Sequence, residues 1–363
     1  MRIFSSMILA ANMGSKIRKD CCYHRASLRF LALLTVLLLV ISGCDSGPEI
    51  VTLSGNKFGT TYRITIVADQ PVPKNLVSMI DAQLNAIDQS MSTYKSASEI
   101  SHFNRLGVGS SLSISEEFFE VLQVARSVWQ ASGGALDPSV GPLVNLWGFG
   151  SESITDIVPS QAAIASAKAQ LGFDTLVVER GVNDISVLKT KSLQLDMSAV
   201  AKGYAVDVVA NLLEMNALPD YLVEIGGETR VSGHNPSGQP WRLAIETPML
   251  NSEVERILSL VSGAVATSGD YRNYFERDGE RYSHIIDPRT GYPINHKLAS
   301  VTVVADNCAL ADAWATAFMI LGEQRSLDLA NQLHLPIFML IRDGGAFKPL
   351  YSDTFEPYLG APQ

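Results

Sequence analysis

SGDYRNYFERDGERYSHIIDPRTGYP, residues Ser268–Pro293, lies between apolar segments that read as buried strands. Three glycines, two prolines and an Asp-Pro-x-x-Gly turn break it at hairpin spacing. Runs joined by turns that short pair antiparallel, because a parallel crossover needs a dozen or more residues. The same stretch packs together Asp270, Arg272, His284, Asp287 and Arg289. A solvated hairpin accounts for its turn residues. A site that handles phosphate or a polarised hydroxyl accounts for the ionisable ones as well.

Outward from this stretch the pattern repeats. Lys57–Val67 alternates, with Tyr62, Ile64 and Ile66 on one face, and reads as a strand. Further strands are expected at Thr175–Glu179, Ile185–Leu188, Leu193–Met197, Tyr221–Ile225, Trp241–Thr247, Ile257–Val261, Tyr282–Ile286, Ser300–Val304 and Pro336–Ile341. Leu76, Ile80, Leu84, Ile87 and Met91 recur at helical spacing. Ser96-x-x-Glu99 and Ser113-x-x-Glu116 are capping-box patterns that open two more helices. Helices are also expected over Ser160–Leu171, Ala199–Met215, Ala309–Leu321 and Arg325–Leu333, and Gly134–Gly150 reads as an ordered apolar loop. Strands outnumber helices, which favours an α+β fold over a doubly wound parallel one. The expectation is mixed, mainly antiparallel sheets flanked by helices in one compact body of two closely packed lobes, with no boundary after residue 57.

The chain has 363 residues and a net charge of -9. Six Lys and Arg residues and one acid precede Cys44, so removing that +5 leaves -14 on the rest. A body this acidic is a poor generic nucleic-acid binder, and an anionic ligand would need local positive charge. The basic start runs into Phe30–Ile41, an apolar stretch too short to span a bilayer comfortably and suited to a signal-peptide core. Ser42-Gly43-Cys44 then resembles a bacterial lipoprotein cleavage box, with Cys44 as the acylated residue and Asp45 resembling an inner-membrane retention signal. On this reading residues 1–43 are a signal peptide, 44–56 a lipid-anchored tether and 57–363 the working domain. Only Cys308 then remains in the body, which excludes an internal disulfide.

Three constellations carry chemistry beside the opening stretch. In QLDMSAVAKGYAVD, Gln194–Asp207, a strand runs through Asp196 into a helix bearing Lys202. A helix N-terminus with a lysine one turn in suits an anion; an Asp N-cap with a snorkelling lysine gives the same pattern. In LADAWATAF, Leu310–Phe318, Asp312 and Thr316 lie one turn apart on an otherwise apolar helix. Two oxygens there suit Mg²⁺, or form a local hydrogen bond. VEIGGETR, Val223–Arg230, brings a strand to Gly226-Gly227, a plain turn or a point of close ligand approach. His284 can take a proton from an attacking hydroxyl. Walker, GxGxxG, HExxH, CxxC and Gly-x-Ser-x-Gly motifs are absent from the sequence.

With FGTTYRI at Phe58–Ile64, MSTYKSASEISHFN at Met91–Asn104, GALDPSVGPLVNLWGFG at Gly134–Gly150, and EIGGE, TSGDYRNY and SHIIDPRTGYPI in order, the chain resembles the bacterial FAD:protein FMN transferase family, the ApbE flavin-transferase lipoproteins. The resemblance implies an ApbE-like, T-fold-related body. It also implies Mg²⁺-dependent transfer of FMN from FAD to a Thr or Ser hydroxyl of a target protein, with release of AMP. By motif match, Tyr94 packs on the flavin, and Phe58, Ala135, Leu136, Asp137 and Asp196 line the FAD site. Lys202, Thr267 and His284 share that cleft. Mg²⁺ takes the Ala199 carbonyl and the Asp312 and Thr316 side chains, making Asp312 and His284 the expected catalytic pair. Phe58 stands where the family often has Met, and Asp-Met-Ser-Ala replaces a commoner Asp-Leu-(Gly/Ser)-Ala; both changes conserve size. The expected partners are extracytoplasmic or membrane redox proteins, met by an enzyme lipid-anchored on the periplasmic side of the inner membrane. An FAD pyrophosphatase and a lipid-anchored flavin-binding protein are the alternatives.

Overall fold

The computed structural model describes residues 47–151, 158–182, 184–249, 253–271 and 273–359. The leader, Cys44, Asp45 and Arg272 lie outside the described residues. Pro48–Gln363 forms one unit. In chain order its first half comprises β1 (Glu49–Lys57), β2 (Thr60–Ala68), α1 (Leu76–Met91), α2 (Glu99–Arg105), β3 (Ser111–Ser113), α3 (Glu116–Ala131), α4 (Gly141–Leu146), α5 (Gln161–Lys168), β4 (Val177–Arg180), β5 (Ile185–Leu188) and α6 (Ser198–Met215). The second comprises β6 (Asp220–Ile225), β7 (Glu228–Ser232), β8 (Trp241–Glu246), β9 (Val254–Leu260), β10 (Ser262–Gly269), β11 (Tyr274–Arg277), β12 (Glu280–Ser283), β13 (Ile286–Asp287), β14 (Tyr292–Pro293), β15 (Leu298–Ala305), α7 (Cys308–Leu321), α8 (Glu323–Leu333), β16 (Ile337–Asp343) and β17 (Ala346–Tyr351).

Eight strands make the central sheet in the order β1-β2-β6-β7-β10-β15-β16-β17. Every neighbouring pair in it is antiparallel. The α+β expectation therefore holds. Residues 49–56, read from the sequence as tether, instead form most of β1 and pair with β2 through Lys57↔Thr60. The turn that closes this hairpin puts Phe58 at φ 53 and Gly59 at φ 74. Two left-handed residues in succession match the twist of a two-residue hairpin. The β6–β7 turn does the same with Gly226 and Gly227, at φ 65 and 107. Because β2 pairs with β6 through Tyr62↔Ile225, the two turns share one end of the sheet, where the Gly226 N–H donates to the Thr61 carbonyl at 3.0 Å.

Side chains alternate across each strand, so the sheet has two apolar faces. On β10, Ala264 and Ala266 join the main core with Ala311, Ala315 and Phe318 of α7. Val265 points the other way, into a second core with Val304, Phe338, Trp241 and Leu258 of the β8–β9 hairpin. A third, smaller core gathers Leu143, Trp147, Ile164 and Ile286, with Phe149, Phe275 and Tyr282 packed on it.

Local departures from the sequence reading are instructive. The caps of α2 and α3 are Ser98 and Ser115, accepting from the Ser101 and Phe118 N–H groups, and not Ser96 and Ser113. Glu99 still serves a cap, because its carboxylate takes the Ser115 N–H at 3.0 Å and the Ser115 hydroxyl at 2.7 Å. Leu193–Met197 forms one bridge, Val140↔Gln194, and no strand. The expected loop Gly134–Gly150 contains α4, opened by a proline in its first turn.

Candidate active site

Helices α6 and α7 cross so closely that a Cβ added at Gly203 would lie 2.3 Å from the Cys308 carbonyl oxygen and 2.9 Å from the Ala309 Cα. Only glycine permits this approach. Asp207, one turn further along α6, accepts from the Cys308 and Ala309 N–H groups at 2.9 and 2.8 Å. Asn307 accepts from the Leu310 N–H at 2.9 Å. Three donors at the start of α7 are thereby met from inside the protein. Arg230 reaches Asp207 at 3.0 Å and anchors it to β7.

This seam fixes Asp312. The carboxylate is buried, and its Oδ2 accepts from the Gly203 N–H at 3.0 Å and faces the Lys202 ammonium at 3.5 Å. The Lys202 Nζ lies nearer to Glu228, 2.7 Å from Oε1. Burial pushes the Asp312 pKa upward; Lys202 opposes that push and Glu228 adds to it. Burial alone would depress the Lys202 pKa, but the Asp312 and Glu228 carboxylates outweigh it and raise it. Thr316, one turn after Asp312, has its Oγ1 3.2 Å from the Ser268 hydroxyl.

Ser268, not Thr267, is thus the β10 side chain that faces α7. Thr267 belongs to the Val265 face and pairs with the Thr302 hydroxyl at 2.8 Å. The period-two alternation of a strand puts the two hydroxyls on opposite faces of β10.

The other expected residues divide. Asp88 pairs with both Lys57 and Lys95, at 3.2 and 2.6 Å, and so ties the Phe58 turn to the loop carrying Tyr94. Beside Phe58 lies a shallow depression of about 400 Å³, lined by Asn56, Lys57, Gly59, Thr60, Thr61 and Asp88. Tyr94 is 73% exposed and offers a ring face. Asp196 donates its N–H to the Pro138 carbonyl at 2.7 Å, which joins the two motifs, and its Oδ1 accepts from the Ser198 N–H at 2.8 Å. That contact is an Asx turn just ahead of α6, whose N-cap is Met197 with no side-chain cap bond, so the expected Asp N-cap is not formed. Ala135 and Leu136 are buried in the main core and have only backbone to offer a ligand. Asp137 is occupied by Ser139, through the N–H at 2.8 Å and the hydroxyl at 2.6 Å.

His284 is held by its Nδ1, 2.9 Å from the Asn273 carbonyl. A carbonyl only accepts, so Nδ1 carries the proton and Nε2 keeps a free lone pair. Burial lowers the His284 pKa; the Asn273 bond and Asp270 oppose this, while Lys202 lowers it further. Its loop is braced by stacked rings, Phe149 on Phe275, Phe275 on Tyr282 and Tyr282 on Trp147.

Glu228, Gly203 and Asp207 were not singled out by sequence reasoning. Their signals were faint: an acid just after a Gly-Gly turn, and a glycine and an acid four residues apart inside a helix. Lys189 was also missed. It is buried and donates to the Phe103 and Asn104 carbonyls at the end of α2, while Asn104 brackets Leu195 just before Asp196. Cys308 is fully buried, and burial pushes its thiol well up, which leaves it a packing residue.

Among the described residues no group of three or more His, Cys, Asp or Glu side chains is placed to hold a metal. A cation here would rely on carboxylate, hydroxyl and carbonyl oxygens, the donor set of a hard ion such as Mg²⁺. The chemistry of Asp312, Thr316 and the Ala199 carbonyl fits that set.

Residues 58–339 match the model of the ApbE family. A Vibrio cholerae protein named FAD:protein FMN transferase is 42% identical over 325 residues, covering 89% of this chain and 96% of that protein. One of the same name from Escherichia coli is 37% identical over 340 residues, covering 91% and 97%. Among solved structures, the flavin transferase ApbE from Vibrio cholerae superimposes with a TM-score of 0.79 at 41% identity, over 86% of this chain and all of that one. The apo form of the Pseudomonas stutzeri flavinyl transferase ApbE gives 0.80 at 38% identity, over 87% and 98%.

Proposed function

The chain belongs to the ApbE family, and on that premise we propose how its own residues divide the work. It is an enzyme, a transferase that moves FMN from FAD onto a target protein. The proposed acceptor is a Thr or Ser hydroxyl. Its oxygen attacks the FMN-side phosphorus of FAD, the phosphoanhydride bond breaks, and AMP leaves with the bridging oxygen. The hydroxyl proton passes to Nε2 of His284, whose depressed pKa leaves the imidazole neutral and so open to receive it. Lys202 faces the pyrophosphate, and Tyr94 and the Phe58 turn receive the flavin end. Asp312 and Thr316, with the Ala199 carbonyl, would hold Mg²⁺, which supplies positive charge to the pyrophosphate and the leaving AMP.

The observation that carries this reading is the Asp312 carboxylate locked against Gly203 and Lys202, one turn from a hydroxyl-bonded Thr316. Incubation with FAD, Mg²⁺ and a peptide bearing a candidate acceptor Thr tests it. Modified peptide plus AMP is expected, and both products should vanish in Asp312→Ala. FMN plus AMP without peptide modification would replace the transferase reading with a hydrolase, and neither product would leave a flavin binder. For the leader, we propose acylation at Cys44 and a periplasmic, inner-membrane location. Metabolic palmitate labelling that survives Cys44→Ser would refute that placement.

A further inference from the structure

We propose that Glu228 is the positioning residue that keeps the Lys202 ammonium in the cleft when a divalent cation takes Asp312, and that it thereby sets affinity for the pyrophosphate end of FAD. This rests on the reading that FAD and the cation share this cleft.

Lys202 has two anionic partners of unequal closeness, Glu228 at 2.7 Å and Asp312 at 3.5 Å. A cation on Asp312 repels the ammonium, so the longer contact is the one that breaks. The Lys202 side chain is 32% exposed, and a four-carbon stem freed from both carboxylates would turn to water. Glu228 prevents this because it cannot follow. It is 4% exposed and sits at the closing pair of the β6–β7 hairpin, Ile225↔Glu228. The turn before it is equally fixed, since a Cβ at Gly226 would meet the Thr60 Cγ2 at 2.8 Å.

Stability alone does not account for this arrangement. A buried ion pair gains little over apolar packing. Here the second carboxylate oxygen, Oε2, is buried and has no hydrogen-bond partner among the described residues. A carboxylate kept in that condition for one bond to a lysine points to a role for the lysine.

A double-mutant cycle on ligand binding tests the assignment. Dissociation constants for ADP and for FAD are measured by calorimetry at fixed Mg²⁺ in the unaltered chain, Glu228→Gln, Lys202→Met and the double variant. Glu228→Gln is expected to weaken both ligands by about 10- to 100-fold, the worth of a hydrogen bond to a charged group. In the Lys202→Met background the same change should have an effect of less than about twofold. Equal losses in both backgrounds would overturn the proposal, because Glu228 would then act without Lys202. Unaltered ADP and FAD affinity in Lys202→Met would overturn it differently, by removing Lys202 from the FAD site. Thermal unfolding checks each variant. If Glu228→Gln does not fold, Glu228→Asp, which keeps the charge and shortens the reach, takes its place in the cycle.

Discussion

Gly203→Ala adds one methyl group where two helices touch backbone to backbone. The new Cβ would sit 2.3 Å from the Cys308 carbonyl oxygen and 2.6 Å from its carbonyl carbon, whereas ordinary contact begins at 3.4 Å. Neither neighbour is a side chain that can swing aside, so α6 and α7 must separate by about 1 Å. Overpacking of this kind costs about 1–3 kcal/mol, and the gain in helix propensity on replacing Gly by Ala offsets about 1 kcal/mol. The net loss of stability is therefore modest, about 2 kcal/mol at most, and the melting temperature should fall by only a few degrees. The effect on chemistry should be larger. The Gly203 N–H holds Asp312 Oδ2 at 3.0 Å, and stretching that contact by about 1 Å breaks it. A displacement of that size in a catalytic group costs on the order of 10²-fold in rate. Single-turnover FMN transfer, read beside thermal unfolding, separates the two effects. Transfer within twofold of the unaltered chain, with an undiminished melting temperature, would refute the view that this seam aims Asp312.

Four further outcomes are expected. Ser268→Ala should weaken divalent-cation affinity by about 10–100-fold, the usual effect of losing a hydrogen bond that orients a metal ligand. Thr267→Ala should leave it within twofold, because its hydroxyl serves Thr302 on the other face; calorimetric Mg²⁺ titration with FAD present would expose the reverse order. In the proposed mechanism the neutral imidazole of His284 is the base, and burial sets its pKa below the ordinary 6.5. The transfer rate should therefore hold through neutrality and fall only as pH drops below that value. His284→Gln should lower the rate by about 10²–10⁴-fold and abolish this acid limb; a limb that persists in the variant belongs to another group.

The elements that sequence disclosed were those with strong local periodicity. The helix faces of α1 and α7 and the strand β15 follow from apolar spacing. Asp312 and Thr316 became candidates because two polar residues one turn apart stand out on an apolar helix. What stayed hidden depends on contacts distant in sequence. The choice between Thr267 and Ser268 turns on which face of β10 meets α7, and strand alternation names two faces without saying what covers them. Gly203 and Asp207 matter only because α7 lies against them, about a hundred residues later in the chain. β1 escaped notice because only one of its edges is paired and most of its residues are partly exposed, which removes the apolar signature.

Cys308 gives this architecture a built-in clock. Its thiol is fully shielded beneath the point where Gly203 meets the α7 backbone, and its sulfur lies 3.7 Å from the Thr229 carbonyl. In a chain that begins after residue 44 it is the sole cysteine, so every molecule of an aromatic disulfide reagent consumed records one parting of the two helices. Comparing that consumption rate with and without nucleotide would convert seam opening, otherwise a spectroscopically silent event, into a measured free energy of local unfolding.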